Sequence, residues 1–218
     1  MLYALSDNGE KISACPEAEA FCPECGNGVI SKCGQINIWH WAHEAEGDCD
    51  SWAECETPWH LNWKKKWPSD CVEVLIKKNG VKHRADILTF QGTVIELQHS
   101  PISPDEIYQR QEFYKNMIWI ADLRTPWNED RIEFRNQGDY YTFRWKHPRK
   151  HIAYMNQAYF DIGDDKRLFR LSKMYPDGQC GGWGWFLDKD YFIKRRLRNT
   201  RDPLRKEPAR ILDHGQAG

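Results

Sequence analysis

A mixed α/β fold is the fold class that this 218-residue chain predicts, with a small metal-stapled module in front of it. Three observations predict it. Cys22 and Cys25, then His40 and His43, form two closely spaced pairs of metal-ligating side chains. Trp59, Trp63 and Trp67 recur at every fourth position, the spacing of one helical face. The apolar runs Cys71–Lys77, His83–Thr89 and Thr93–Gln98 have strand length and precede a second helical stretch at Ser103–Asn116 and a strand at Met117–Ala121.

Taken in order, Leu2–Leu5 and Lys11–Ala14 flank Asp7-Asn8-Gly9, a strong turn signal, and predict a hairpin. Val29–Ser31 and Ile36–Trp41 are short strands of the cysteine module, and residues 44–51 are a polar linker. Residues 52–67 read as a helix that Pro68 ends. On it Glu56, His60 and Lys64 share one face at i, i+4 spacing. In Ser103–Asn116, Ser103 is the N-cap, Pro104 takes the first helical position and Glu106 the third. Ile132–Phe134 and Tyr140–Trp145 are further strands, Cys180–Trp185 a glycine-rich loop, and Lys189–Asn199 a basic helix before a frayed end. The expected domains are residues 1–50 (hairpin and zinc-binding module), 51–145 (core) and 146–218 (C-terminal extension with a basic tail).

Composition narrows the class. Hydrophobic residues make up 40% and charged residues 29% of the chain, enough for a core. A mean hydropathy of −0.79 and the lack of an apolar run of about 18 residues exclude a spanning helix. The start lacks the basic and apolar segments of a signal peptide, so a soluble cytoplasmic protein is expected. The net charge of −1 is unevenly spread: residues 1–60 hold 11 acidic and 2 basic residues, residues 190–218 hold 4 acidic and 8 basic. A basic tail permits nucleic-acid contact.

Eight cysteines without an export signal favour metal or reduced thiols over disulfides. Two thiolates and two imidazoles, each pair two residues apart, suit tetrahedral Zn²⁺, so Cys22, Cys25, His40 and His43 are the expected ligands of a structural zinc. Cys15, Cys33, Cys49 and Cys55 compete for the fourth place. The alternative is reduced cysteines in turns beside surface histidines.

The second constellation is acidic. Phe90-Gln91-Gly92 suits a three-residue hairpin loop, placing Thr89 opposite Thr93 and, counting back, Asp86 opposite Glu96. Gln98 shares the face of Glu96. Apolar neighbours imply partial burial, and buried carboxylates need a partner or a metal. Oxygen ligands of this kind suit Mg²⁺ or Mn²⁺. The alternative is neutralisation by Arg84 or Lys82.

These residues are similar to those of the competence protein CoiA-like family within the PD-(D/E)XK nuclease superfamily. The likeness rests on Cys22-Pro23-Glu24-Cys25-Gly26 and His40-Trp41-Ala42-His43, on Glu56, His60 and Lys64, on Arg84-Ala85-Asp86-Ile87, on Ile95-Glu96-Leu97-Gln98-His99-Ser100-Pro101-Ile102-Ser103, and on Arg110 and Tyr114. It spans roughly residues 20–122. The resemblance implies a restriction-endonuclease-like core, a mixed β-sheet flanked by helices, and a role in DNA processing, uptake or recombination. It implies Asp86 and Glu96 as ligands of a catalytic Mg²⁺ or Mn²⁺, with Glu56 assisting through metal, water or orientation. His60 would bring a base, and Lys64, Arg110 and Tyr114 phosphate contacts. Gln98 stands where many nucleases have lysine and cannot supply positive charge or act as a base. Two other functions remain in view: a non-catalytic DNA-binding adaptor, and a protein-interaction module in phage–host defence carried by the acidic N-terminal segment and its tryptophans Trp39 and Trp41.

Overall fold

The structure, a computed structural model, describes residues 1–36, 38–43, 49, 52, 56–176 and 180–198. The chain divides into two compact units, Met1–Leu88 and Thr89–Gly218. Among the described residues no helix is long and apolar enough to cross a membrane.

The first unit opens with a sheet of order β2-β1-β3-β4-β5, formed by β1 (Tyr3–Leu5), β2 (Lys11–Ser13), β3 (Glu19–Phe21), β4 (Gly28–Lys32) and β5 (His40–Ala42). The expected first hairpin is present, with Tyr3 paired to Ser13. Ala4, Ala14, Ala20, Cys22, Val29 and Trp41 fill its core. Trp41 is 1% exposed, whereas Trp39 is 48% exposed, so only one of the two tryptophans considered for a partner surface faces solvent.

Helix α1 runs from Pro58 to Lys64, shorter than the expected 52–67; residues 53–55 lie outside the described residues. Its start is set by a capping box. Thr57 Oγ1 accepts from the His60 amide at 3.3 Å, and His60 Nδ1 accepts from the Thr57 amide at 3.2 Å. Glu56 therefore precedes the helix and does not share a face of it with His60 and Lys64. Trp59, Trp63 and Trp67 are all buried, as the spacing predicts. A 3-10 turn at Ser69–Cys71 leads into β6 (Val72–Lys78), which pairs antiparallel with β7 (Val81–Leu88). Val72 faces Ile87 and Val74 faces Ala85, so Glu73 and Asp86 lie between the same two rungs.

The second unit starts at the turn the sequence predicts. The Thr89 amide donates to the Thr93 carbonyl at 3.0 Å, and Gly92 takes the left-handed conformation (φ 75°) that glycine accepts without strain. Strand β8 (Val94–Gln98), helix α2 (Pro104–Tyr114) and β9 (Met117–Asp122) form a parallel crossover unit, with Glu96 opposite Trp119. Ser103 caps α2, accepting from the Glu106 amide at 3.1 Å. Every residue of β9 is buried, as a central strand requires.

The remaining strands extend this sheet in the order β10-β11-β14-β13-β12-β9-β8. They are β10 (Ile132–Asn136), β11 (Tyr141–Trp145), β12 (Ala158–Asp161), β13 (Arg167–Met174) and β14 (Gly181–Asp188), with α3 (Arg124–Asn128) and α4 (Lys189–Leu197) between and after them. Because β11 pairs with β14, the sheet runs through the boundary expected at residue 146. The glycine-rich segment expected as a loop is strand β14. A Cβ on Gly184 would meet the Phe169 ring at 2.9 Å and the Arg170 carbonyl oxygen at 2.0 Å, so the glycines admit aromatic rings from neighbouring strands. The basic helix is observed; Arg201, Arg205, Lys206 and Arg210 lie outside the described residues.

Candidate metal and acidic centres

The first centre forms at a tight turn between β3 and β4. The Gly26 amide donates to the Cys22 carbonyl at 2.9 Å, and the Glu24 amide points at Cys22 Sγ at 3.4 Å. Both thiols of the pair thus meet on one side of the turn. Cys22, Cys25, His43 and Cys49 lie with their ligand atoms within 4.8 Å of one another. Cys22 Sγ is 3.6 Å from Cys49 Sγ, and His43 Nε2 is 3.4 Å from both Cys25 Sγ and Cys49 Sγ. A tetrahedral zinc needs S···S edges of about 3.8 Å and S···N edges of about 3.5 Å. The donor set fits, and this Cys₃His cluster can hold a metal ion such as zinc.

The expected fourth ligand is corrected. His40 lies on β5 and its Nδ1 sits 2.7 Å from the Ile38 carbonyl oxygen, while Cys49 takes its place in the cluster. Strand alternation explains the change: His40 and His43 are three positions apart, an odd offset, and only the one beyond the strand end turns into the cluster. Burial pushes the Cys49 thiol up, and the nearby thiols of Cys25 and Cys22 push it the same way. A cation relieves that crowding.

The second centre, in the same unit, surrounds Lys64. Its Nζ is 3.0 Å from Asp86 Oδ1 and 3.2 Å from Glu73 Oε1, and it also pairs with Glu56 Oε1. Lys64 is 3% exposed. Burial alone would lower its pKa, but Asp86, Glu73 and Glu56 hold it well above the ordinary lysine value.

The three carboxylates differ. Glu73 is compensated: its oxygens accept from the Leu2 amide at 3.1 and 2.9 Å and from the Tyr3 amide at 3.1 Å. Burial would raise its pKa, yet Lys64, Arg84 and these amides bring it down to about 2. Glu56 is the opposite case. Its Oε2 is buried without a hydrogen-bond partner, and burial, with Asp86 and Glu73 beside it, raises its pKa to about 7 despite Lys64. Asp86 is the most accessible of the three, with its side chain 23% exposed. Lys64 thus contacts Glu56 and Asp86 together, while Glu56 Oε2 is left without a donor. A divalent cation fits this donor set of hard oxygens.

Lys64, which meets Asp86, is not among the neutralising cations considered from sequence. Lys82 donates to the Glu24 carbonyl at 2.7 Å, and Arg84 reaches Met1 Sδ at 3.9 Å while acting on Glu73 electrostatically. His60 is 3% exposed and its Nδ1 is engaged with Thr57, which gives it a capping role where a base was expected.

In the second unit, Glu96 is 4% exposed and its Oε2 accepts from Arg110 Nη1 at 2.9 Å. Arg110 also donates to Glu106 from Nε at 3.1 Å. This guanidinium, expected to meet a phosphate, is buried in an internal ion pair. Tyr114 is 4% exposed, its ring edge-on to Phe113. Gln98 Nε2 donates to the Ser100 carbonyl at 2.9 Å. Next to it, His99 Nδ1 lies 2.8 Å from Asp122 Oδ2, and Asp122 also accepts from Arg124 Nε at 2.9 Å.

Sequence reasoning missed Glu73, although a glutamate between Val72 and Val74 in an apolar strand is itself a signal of a paired buried charge. The family model described as competence protein CoiA, N-terminal domain, matches residues 6–51. That described as competence protein CoiA, nuclease-like domain, matches residues 61–176, more than half of the chain. No curated protein and no solved structure matches. With both family models in chain order over the thiol cluster and the acidic strands, the chain belongs to the competence protein CoiA family and carries its nuclease-like domain.

Proposed function

We propose that the chain is a divalent-metal-dependent deoxyribonuclease acting in DNA processing, uptake or recombination, with Asp86 and Glu56 as the metal-holding carboxylates of the first unit. One observation carries this. The Oε2 atom of Glu56 is buried without a partner beside Asp86, and Lys64 contacts both carboxylates. A buried carboxylate oxygen without a donor is costly unless a cation meets it. When bound, Mg²⁺ or Mn²⁺ supplies a water of lowered pKa and charge neutralisation at the phosphate. Lys64 provides a fixed positive charge beside Asp86, which answers for the lysine that Gln98 replaces. Glu96, by motif order the second expected ligand, is held by Arg110. The zinc of the Cys₃His cluster is structural in this proposal, because four protein ligands leave no open position.

The test is cleavage of DNA with added Mg²⁺ or Mn²⁺ by the wild-type chain and by Asp86→Ala. Activity only with added metal and only in the wild type is the expected result; equal cleavage by both proteins removes the assignment.

A second function is favoured by a different observation. Asp86 and Glu96 each already have an internal cation, Lys64 and Arg110. A DNA-binding adaptor on a nuclease-like core needs no more than that. It predicts salt-sensitive DNA binding that persists without divalent metal and is unaccompanied by cleavage.

A further inference from the structure

The second unit holds a pocket of about 600 Å³, lined in part by Trp127, Asn128, Phe134, Tyr141, Arg167 and Phe186. Its volume lies in the range of small-molecule sites. None of these residues belongs to the thiol cluster or to the acidic centre.

The walls are flat and aromatic. The ring of Phe134 lies 5.8 Å from Trp127 and 5.0 Å from Phe186, and Tyr141 meets Phe186 edge-on at 5.0 Å. The Arg167 guanidinium sits over the Phe186 ring at 4.9 Å. Trp127 is 38% exposed, so its indole is open to an incoming ring. Helix α3 presents Trp127 and Asn128 side by side, an apolar ring next to an amide with both donors and an acceptor.

Charge decides between ligand classes. Arg167 Nε is 2.8 Å from Asp164 Oδ2, and Arg124, which also lines the pocket, is 2.8 Å from Asp122 Oδ2. Each guanidinium carries its own carboxylate, so the pocket is near neutral and has no surplus for an isolated anion. A planar, neutral, hydrogen-bonding ring suits it better: aromatic side chains and arginine planes stack on bases irrespective of sequence.

We propose that this pocket receives one unpaired base of a DNA strand, stacked on the aromatic wall and met at its edge by Asn128. The chain then grips single-stranded DNA at a place separate from the acidic centre. This rests on the nucleic-acid function of the nuclease-like domain and adds the strand preference.

The test uses the full chain without added divalent cation, so that cleavage does not enter. A short fluorescent oligothymidylate and a duplex of equal length are titrated by anisotropy against wild type, Trp127→Ala, Trp127→Phe and, as a control in the first unit, Trp39→Ala. Trp127→Ala should weaken single-strand binding about tenfold, Trp127→Phe less, and Trp39→Ala not at all, with duplex binding unchanged. Circular dichroism checks that each variant is folded. In parallel, an oligonucleotide bearing 5-iododeoxyuridine should photocrosslink to the wild type within residues 124–141. Wild-type-like single-strand binding by Trp127→Ala, or crosslinks confined to other segments, overturns the pocket while leaving DNA binding standing. If the wild type binds neither strand form, the DNA function fails and the pocket's role fails with it.

Discussion

The thiol cluster and the acidic cluster sit in the same unit and solve the same problem in opposite ways. Each collects groups that repel once ionised. Around Cys22, Cys25, His43 and Cys49 the protein contributes no cation, and four soft ligands close on a volume of zinc size. Around Glu56, Glu73 and Asp86 the protein supplies Lys64 as an internal cation and leaves Glu56 Oε2 without a donor. The first arrangement offers a metal ion four protein ligands and no open position. The second carries its own cation, and keeps a partly exposed Asp86 beside a Glu56 whose Oε2 has no donor. In the function proposed above, the first centre holds a structural ion and the second a chemical one.

Removing the ion from the first centre should have the largest effect. Cys49→Ala should lose the bound zinc measured by elemental analysis and expose residues 1–43 to proteolysis, since structural zinc is worth about 10 kcal/mol or more in such modules. His40→Ala should retain zinc. If zinc follows His40 and not Cys49, the ligand set described above is wrong. Next comes Lys64→Met, which leaves three carboxylates around an apolar side chain and should cost about 3–5 kcal/mol in chemical denaturation.

Glu73 gives a pH signature. Its folded pKa of about 2 lies below the ordinary 4.5, so its contribution to stability is complete above about pH 4.5 and is lost as pH falls toward 2. Glu73→Gln should be less stable than wild type by a few kcal/mol at neutral pH, and the gap should close on acidification. A gap that stays constant from neutral pH to pH 2 would show that Glu73 is not held ionised. The smallest effect is expected from Thr57→Ala, which removes the α1 cap. It should cost about 1 kcal/mol in thermal unfolding and leave zinc content unchanged.

The local chemistry was legible in the residues. The Asn8-Gly9 turn, the Ser103 cap with Pro104 and Glu106, the three-residue loop ending at Gly92 and the buried tryptophan face of α1 all follow from backbone preferences or periodicity within a few residues. The CxxC pair was legible for the same reason. What failed was long-range assignment. Cys49 was one of four candidates for the last ligand. The helix was begun too early because Thr57-Pro58 with His60 three residues on makes a start signal that the tryptophan spacing overrode. The glycines of β14 read locally as a loop because the rings that fill their missing side chains, Phe143 and Phe169, come from other strands.

By itself the sequence determined the inventory: soft ligands before residue 50, hard acidic ligands after it, and the turns and caps that begin each element. Those are short-range properties, set by side-chain chemistry and φ/ψ preference. Only the tertiary structure decided the pairings. Lys64 meets Glu73 and Asp86 because α1, β6 and β7 bring together groups that no spacing rule relates, and Cys49 displaces His40 because His40 is held on β5. Electrostatic compensation in a buried site depends on distance in space, and distance in space is what a linear sequence does not contain.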